Sequence, residues 1–409
     1  MIYYSIFDLI NDKAKEKNIK PDEIFSFFKN FKISKAKLLA LRETSYIPED
    51  TQFKAAITQF LNMSELEISL SMGKIPNEYK ISYMKNISKI ANILEKENDQ
   101  DPIQKITPFF TNAWGSLYKG DCISVMKQLP SEHFDLIFAD PPFNLDKVYD
   151  PGINDNMSMT KYINWTQEWL DQCIRILKTG GRIFIYNLPK WCTYIAQYLN
   201  QRLTYWDWIA VDMKFSLPIS HRLYPAHYAL LSYIKGTKAI TYHNQRIPLQ
   251  TCRHCGGEIK DYGGYKSKMN PKGVNVSDVW TDIYPVRHKN SKNRKYNELS
   301  VKLLYRIISM STNEGDIVFD PFGGSGTTYA VAQMLKRKWV GTELGDCELI
   351  KHRLQNPQQD KANLAKILEN ENRLFTKKAE ELRRKHGFWL CEDFEKDKTV
   401  KIDSLKLFD

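Results

Sequence analysis

The stretch that decides the fold is Phe134–Asn144 (FDLIFADPPFN), in which an apolar run leads into Asp140, Pro141, Pro142 and Phe143. A short apolar run that ends at prolines predicts a buried strand, because proline has no backbone N–H to continue a ladder. The prolines also fix φ, so they would hold the carboxylate on a stiff segment at the strand end. A simple strand-terminating turn is the alternative. The aromatic residue that follows favours a binding pocket.

A second run, Ile317–Thr328 (IVFDPFGGSGTT), joins an apolar strand to a glycine turn and the start of a helix. Glycines let the backbone approach a ligand closely, and the N–H groups at a helix start attract a carboxylate. No lysine follows the last glycine, which excludes a P-loop. Glu343 ends the next apolar segment, about twenty residues after Asp320, where such folds place an acid for ribose hydroxyls. A solvent-facing glutamate is the alternative. The run predicts a nucleoside-type cofactor.

The chemistry that fits Asp140 is activation of an aromatic amine. In adenine or cytosine the lone pair of the exocyclic nitrogen is delocalised into the ring, so the amine is a poor nucleophile. A carboxylate that accepts one N–H, with a backbone carbonyl that accepts the other, would localise that lone pair. The ring of Phe143 would stack on the base. The two runs together predict methyl transfer to an amino group.

Both runs, with Leu117–Cys122 (LYKGDC) upstream, resemble the motifs of the amino-group DNA methyltransferases that use S-adenosylmethionine. The resemblance covers about residues 115–350, and the motif order is that of the beta group, with target recognition between the motifs. It implies a doubly wound, Rossmann-like α/β sheet, S-adenosyl-L-methionine as cofactor and double-stranded DNA as partner. The residues assigned to the cofactor are Asp121, Cys122, Asp320, Phe322, Gly323, Gly324, Gly326, Thr327 and Glu343.

The resemblance favours N6 of adenine as the acceptor, because the cytosine enzymes of this family commonly have Ser where Asp140 stands. N4 of cytosine is the close rival. A DNA-binding regulator with a vestigial catalytic domain is the alternative from another class. Where the family commonly has HPTQKP before the glycine motif, residues 288–300 read HKNSKNRKYNELS, so the methionine end of the cofactor is not assigned there.

Length and composition limit the domain number, the kind of partner and the cellular compartment. The chain has 409 residues and a net charge of +11, which suits two or three domains and a polyanionic partner. Seven cysteines, an odd number, argue for a reducing cytoplasm. The opening residues lack the basic segment of a signal peptide, and no apolar run reaches membrane-spanning length. The sequence leaves open the recognition site, a cognate restriction endonuclease and a homodimer.

The N-terminal region, residues 1–100, is predicted to be an all-α domain that resembles the helix-turn-helix domains of phage repressors. Five short helices are expected before about residue 75, and a helix over 34–43 would be the recognition helix. Lys35, Lys37 and Arg42 would then enter the major groove. Any small helical bundle gives a similar pattern. A polar stretch over 96–102 is expected to be a linker.

The catalytic domain is assigned to residues 101–350, as alternating strands and helices with ligands at the carboxyl ends of the strands. The elements expected are strands Phe134–Ala139, Arg182–Tyr186, Trp206–Met213 and His227–Ile234 and helices Met159–Leu177 and Lys190–Leu203. Gly180 and Gly181 are expected to mark a helix exit. Residues 351–409 form a C-terminal extension, with one charged helix from Asp360 to Lys385.

A target-recognition insert is expected at about residues 236–300, where basic and aromatic residues alternate. Positive charge neutralises phosphates, and aromatic rings support flipped bases, although a basic run is often only a solvated face. The phosphate contacts are assigned to Arg287, Lys289, Lys292, Arg294 and Lys295, and the aromatic residues are Tyr262, Tyr265, Trp280, Tyr284 and Tyr296. Cys252 and Cys255 form half of a zinc ribbon, for which a metal-free turn is the default.

Overall fold

The computed structural model describes residues 5–44, 47–48, 50–98, 105–145, 148–150, 153–154, 157–213, 218, 220–221, 223–257, 269–284 and 298–390. The chain divides into two compact units, Met1–Lys105 with Asn144–Asp171, and Ile106–Phe143 with Gln172–Asp409. The boundary at Lys105 lies near the one expected at residue 100. Unlike the division expected from the sequence, 144–171 groups with the N-terminal helices, and 351–409 groups with the sheet.

The helices and strands are numbered in chain order. The helices are α1 (Ile6–Glu16), α2 (Pro21–Asn30), α3 (Lys35–Ala40), α4 (Thr51–Leu61), α5 (Glu65–Ser71), α6 (Lys80–Lys85), α7 (Ile87–Asn98), α8 (Cys122–Gln128), α9 (Met159–Ile176), α10 (Pro189–Leu199), α11 (Val301–Ser311), α12 (Thr327–Met334), α13 (Cys347–Gln355), α14 (Gln358–Leu368) and α15 (Lys377–Lys385). The strands are β1 (Phe110–Thr111), β2 (Gly115–Lys119), β3 (Phe134–Ala139), β4 (Val148–Asp150), β5 (Ile153–Asn154), β6 (Leu177–Asn187), β7 (Thr204–Asp212), β8 (His227–Ile234), β9 (Arg246–Ile247), β10 (Val274–Asn275), β11 (Val279–Trp280), β12 (Ile317–Asp320) and β13 (Lys338–Glu343).

The N-terminal helices α1 to α5 form a bundle around their own apolar core. The apolar positions of α4, from Phe53 to Leu61 at helical spacing, are all buried, as predicted. The predicted capping box of α5 is present: the Glu67 N–H donates to Ser64 Oγ at 3.2 Å, and the Ser64 N–H donates to Glu67 Oε2 at 2.7 Å. These local rules explain why the chain turns where it does.

Two expectations for this region are corrected. The helix predicted over 34–43 is shorter than expected, because α3 ends at Ala40 and Leu41–Glu43 is a 3-10 turn. The expected linker begins inside a helix, since α7 continues to Asn98, and residues 99–104 lie outside the described part of the chain.

The second unit contains a nine-stranded sheet in the order β1-β2-β13-β12-β3-β6-β8-β7-β11. Its centre, β2-β13-β12-β3-β6, is parallel throughout, and β8 pairs antiparallel with both β6 and β7. The chain proceeds from β3 to β6 in one direction and from β12 to β13 in the other, so the order reverses between β3 and β12. This is the doubly wound α/β fold that was predicted, and its switch point separates the two motif runs.

Asp135 links the N-terminal ends of three central strands. Its carboxylate accepts the N–H of Ile317 at 2.9 Å and the ammonium of Lys178 at 2.7 Å, which joins β3 to β12 and β6. Within the described residues, no helix is long and apolar enough to cross a membrane.

The boundaries of β3 and β8 were predicted correctly, and α9 ends one residue earlier than expected. The assignment of Gly180 and Gly181 as a helix exit was wrong, because both lie inside β6 next to a shift in its register with β3. Gly180 has φ +82 there, and its N–H donates to Lys235 O at 2.6 Å. The single helix over 360–385 was also wrong, since α14 ends at Leu368 and Asn372 takes a left-handed φ of +54 before α15.

Candidate active site

The strand register brings the two motif runs to one level of the sheet. Phe319 pairs with Ile137, so the parallel strands β3 and β12 end at nearly the same level, at Ala139 and Asp320. On the outer side of β12, Asp320 pairs with Gly341, two residues before Glu343 at the end of β13. The same edge therefore carries the ends of β3, β12 and β13, and it is the carboxyl edge where ligands bind in such folds.

The glycine turn after β12 needs its glycines for two reasons. Gly324 and Gly326 have φ of +52 and +77, which L side chains rarely adopt. A Cβ on Gly323 would lie 2.7 Å from the Tyr329 hydroxyl, so packing also excludes a side chain there. Gly326 is the N-cap of α12, and no side chain caps this helix. The first N–H groups of α12 are thus left to the backbone or to a ligand, which fits a cofactor carboxylate.

Asp320 lies beneath this turn and is only 2% exposed. Its Oδ1 accepts the Phe322 N–H at 2.9 Å, and its Oδ2 accepts the Thr328 hydroxyl at 2.5 Å. Burial raises the pKa of the Asp320 carboxyl to about 7, against the lowering effect of these hydrogen bonds. Both oxygens accept hydrogen bonds from the turn and from the first turn of α12. The carboxylate therefore stabilises the conformation of the loop predicted to bind the cofactor. Thr327 is similarly buried, whereas Phe322 is half-buried.

Glu343 joins β13 to the glycine turn. Its Oε2 accepts the Gly324 N–H at 2.6 Å, and its Oε1 accepts the Gly345 N–H at 2.7 Å. Burial raises the pKa of this carboxyl, although both hydrogen bonds oppose the shift. A carboxylate has about four lone-pair sites. The side chain therefore retains acceptor capacity for ribose hydroxyls while it holds the turn.

Asp121 follows β2 at the same edge, because the Gly120 N–H donates to Glu343 O at 3.0 Å. Its Oδ2 caps α8 by accepting the Ser124 N–H at 2.8 Å, and the side chain is otherwise exposed. Cys122 is buried, which raises the pKa of its thiol. Residues of the three predicted cofactor segments, 121–122, 320–327 and 343, thus meet along one edge, with Cys122 packed behind it.

Asp140 lies beside an aromatic cluster formed by Phe143, Tyr186 and Tyr228. The ring centroids of the two tyrosines are 4.9 Å apart, and that of Phe143 is 5.8 Å from Tyr228. Burial and the nearby charge of Asp140 both raise the pKa of each tyrosine. Phe143 is only 8% exposed. The sequence singled out Phe143 but missed both tyrosines, because they come from β6 and β8 and meet only through the sheet.

The Asp-Pro-Pro-Phe segment is held by one further residue that the sequence did not indicate. Trp191, buried in the first turn of α10, donates its indole N–H to Phe143 O at 2.7 Å. Pro141 is buried and Pro142 half-buried. The segment is therefore fixed at its far end, as a site that must orient an amine requires.

Of the residues predicted to contact DNA, some lie outside the described part of the chain and others are placed by the structure. Arg287, Lys289, Lys292, Arg294 and Lys295, with Tyr262, Tyr265 and Tyr296, lie outside the described residues. Trp280 is a core residue, 2% exposed, whose indole donates to Ser277 O at 2.8 Å, so its assignment as a base-supporting ring was wrong. Tyr284 is 51% exposed.

In the N-terminal bundle, Lys35 and Lys37 are exposed on α3. Arg42 is also exposed, and its guanidinium lies 4.7 Å from the ring of Phe7. The region of Cys252 and Cys255 is a tight turn in which the Gly256 N–H donates to Cys252 O at 2.8 Å. No group of three or more potential metal ligands occurs in the part of the chain that the structure describes.

Comparison with known proteins agrees with this geometry. A family model described as DNA methylase (N6_N4_Mtase) matches residues 134–352. The type II methyltransferase M.BamHI of Bacillus amyloliquefaciens is 54% identical over 402 residues, which are 97% of this chain and 95% of that protein. The DNA adenine methyltransferase YhdJ of Escherichia coli (strain K12) is 31% identical over 58% of this chain and 80% of that protein. The solved PvuII DNA methyltransferase (cytosine-N4-specific) covers 65% of this chain and 96% of its own, with a TM-score of 0.45 and 17% identity.

Proposed function

The chain belongs to the DNA methylase family and uses S-adenosylmethionine, and we propose that it methylates an exocyclic base amine held at Asp140. The observation that carries the proposal is the strand register, which ends β3 before Asp140 and β12 before the glycine turn at the same edge of the sheet. Bound there, the cofactor supplies an electrophilic methyl group on a sulfonium. A base amine at Asp140 and a cofactor at the turn would then lie next to each other at the switch point of the sheet.

The residues at this edge would have different roles in the proposed reaction. Asp140 would accept a hydrogen bond from one N–H of the amine and a carbonyl of the Pro141–Pro142 segment from the other, which concentrates the lone pair on nitrogen. Methyl transfer from sulfur to the amine nitrogen would leave a positive charge on that nitrogen. The carboxylate of Asp140 would stabilise this charge until the proton passes to water. The aromatic cluster beside it would hold the plane of the base.

N6 of adenine is our first candidate for the acceptor, supported by an aspartate at position 140 and by a relative named as an adenine enzyme. N4 of cytosine is the second candidate, because the matching family model covers N4 as well as N6 methylases.

We further propose that DNA is read by the insert over 236–300 and by the N-terminal bundle, where Lys35 and Lys37 are exposed on α3. A place in a restriction-modification system, with a cognate endonuclease in the same cytoplasm, is supported by the name of the relative that matches 97% of the chain. A homodimer is part of the same proposal.

The test is methyl transfer by the full chain from labelled S-adenosylmethionine to DNA, followed by digestion to nucleosides. Label in N6-methyl-2′-deoxyadenosine supports the first candidate, and label in N4-methyl-2′-deoxycytidine supports the second. Label in 5-methylcytosine would contradict the proposal, because a ring carbon needs a different activating group.

A further inference from the structure

Arg353, on α13, contacts the glycine turn through its guanidinium. The side chain is only 14% exposed. Nη1 donates to Thr327 Oγ1 at 2.9 Å, to Ser325 O at 3.1 Å and to Ser325 Oγ at 3.2 Å. Ser325 and Thr327 flank Gly326, the left-handed N-cap of α12. One buried cation thus contacts both neighbours of the residue at which the turn becomes a helix.

The rest of the guanidinium is fixed by two acids. Nε and Nη2 donate to Asp360 Oδ2 and Oδ1 at 2.8 and 2.7 Å, a bidentate pair with a buried carboxylate of α14. Nη2 also lies 3.0 Å from Glu298 Oε1. Burial alone would lower the pKa of Arg353, but the hydrogen bonds and charges of both acids hold it above its usual value. The cation is therefore anchored independently of the turn that it contacts.

The Glu298 contact connects the turn to another part of the chain. Glu298 directly follows the basic segment 285–297, in which the sequence predicts phosphate contacts. The next residue takes part as well, since Thr327 Oγ1 donates to Leu299 O at 3.4 Å. The two residues that follow the predicted DNA-contacting segment, Glu298 and Leu299, therefore contact Arg353 and the glycine turn.

We propose that Arg353 is a positioning residue that holds the glycine turn in its cofactor-binding form through Ser325 and Thr327. The inference rests on the proposed function, because it takes the turn to be the cofactor site. The planar guanidinium group of Arg353 is essential, because a lysine would keep the positive charge but could not contact the turn and Asp360 at the same time. Anchoring the turn before the cofactor arrives reduces the ordering that binding must impose.

The experiment measures S-adenosylmethionine affinity by calorimetry on the full chain, well below its melting temperature, for the parent and Arg353→Lys. Affinity should fall about tenfold, equivalent to about 1.4 kcal/mol. DNA affinity without cofactor should stay within about twofold, a separation that a merely structural role would not produce. A lower melting temperature with unchanged cofactor affinity would overturn the inference. If the parent chain itself binds no S-adenosylmethionine, the proposed function fails instead.

A double-mutant cycle identifies the route. Ser325→Ala removes one oxygen that Arg353 contacts, at a residue that is not assigned to the cofactor. If Arg353 acts through the turn, the double variant should bind S-adenosylmethionine about as weakly as Arg353→Lys alone. Fully additive losses would overturn this route. Should the lysine variant fail to fold, Ser325→Ala alone still decides, with about threefold weaker binding expected and unchanged binding contradicting the inference.

The matched control is Lys351→Ala, also on α13. Lys351 makes an (i, i+3) ion pair with Glu348 at 3.2 Å and does not contact the turn. Its loss should leave S-adenosylmethionine affinity unchanged. An equal fall in both variants would mean that any damage to α13 weakens the site, and it would overturn a specific role for Arg353.

Discussion

The carboxylates on the two sides of the site have different surroundings. On the side proposed to bind the cofactor, Asp320 and Glu343 accept hydrogen bonds from backbone N–H groups of the glycine turn and the loop after β13 and from a hydroxyl of α12. On the target side, Asp140 lies beside the rings of Tyr186 and Tyr228. The cofactor side is thus a polar network whose members fix one another, whereas the target side pairs one acid with flat apolar surfaces. Substitutions on the first side should change binding, and those on the second should change the chemical step.

Glu343→Ala should have the largest effect on binding. It removes the acceptor proposed for the ribose hydroxyls and the tether of Gly324, and each hydrogen bond to a charged group contributes about 1.5–3 kcal/mol. We expect S-adenosylmethionine affinity to fall about a hundredfold, measured by calorimetry. Unchanged affinity would move the ribose site elsewhere and remove the distinction between the two sides.

Gly326→Ala should weaken cofactor binding by about tenfold, because a left-handed alanine costs about 1–2 kcal/mol and its Cβ would lie 2.8 Å from Ile350. Gly315→Ala is the control. That glycine also has a left-handed φ, +87, but nothing lies within 4 Å of its added Cβ. Both variants should lose stability, and only the first should lose affinity. Equal affinities would show that the turn does not contact the cofactor.

Neutralising the basic residues tests the proposed contacts with DNA. Replacing Arg287, Lys289, Lys292, Arg294 and Lys295 by glutamine should flatten the salt dependence of DNA binding by about 0.9 in slope per lost phosphate contact. Lys35→Gln with Lys37→Gln should do so to a smaller extent. Lys15→Gln, an exposed lysine of α1, is the control. An unaltered slope would make these lysines and arginines ordinary solvated residues.

The smallest expected effect is on the pH dependence of stability. Because burial raises the pKa of Asp320 to about 7 in the folded chain, the folded state binds more protons than the unfolded one. This group should therefore lower stability as pH rises from about 4 to about 7. Asp320→Asn, in which the Thr328 hydroxyl can reverse its role, should remove that decline in thermal unfolding. An identical decline in both proteins would contradict the assignment.

Asp282 is a partly buried acid whose pKa is shifted in the opposite direction to that of Asp320. Burial would raise its pKa, but hydrogen bonds and charge from Arg306 and Lys302 lower it to about 2. Its stabilisation is present above pH 4 or so and is lost as pH falls towards 2. Asp282→Asn should therefore remove this loss of stability at acid pH and lower stability by a constant amount above about pH 4, without changing the slope of the profile between about pH 4 and pH 7. It is the matched control for Asp320→Asn.

The sequence predicted the strand ends that carry Asp140 and Glu343, because each follows a run of apolar residues whose length and neighbours indicate a buried strand. It could not predict Tyr186, Tyr228 or Arg353. These residues reach the site through strand register and helix packing between segments far apart in the chain. Gly180 was misassigned because a glycine pair signals a helix end and a strand irregularity equally well. The break at Asn372 was missed because the charged composition is the same on both sides of it.

The central claim is that Asp140 serves the target amine and the glycine turn serves the cofactor. Asp140→Ala tests it most directly, with methyl transfer in a single turnover and S-adenosylmethionine affinity measured on the same preparation. The account predicts transfer at least about a thousandfold slower, equivalent to about 4 kcal/mol, with cofactor affinity nearly unchanged. Retained transfer would contradict the role of Asp140, and a parallel loss of cofactor affinity would contradict the division between the two sides.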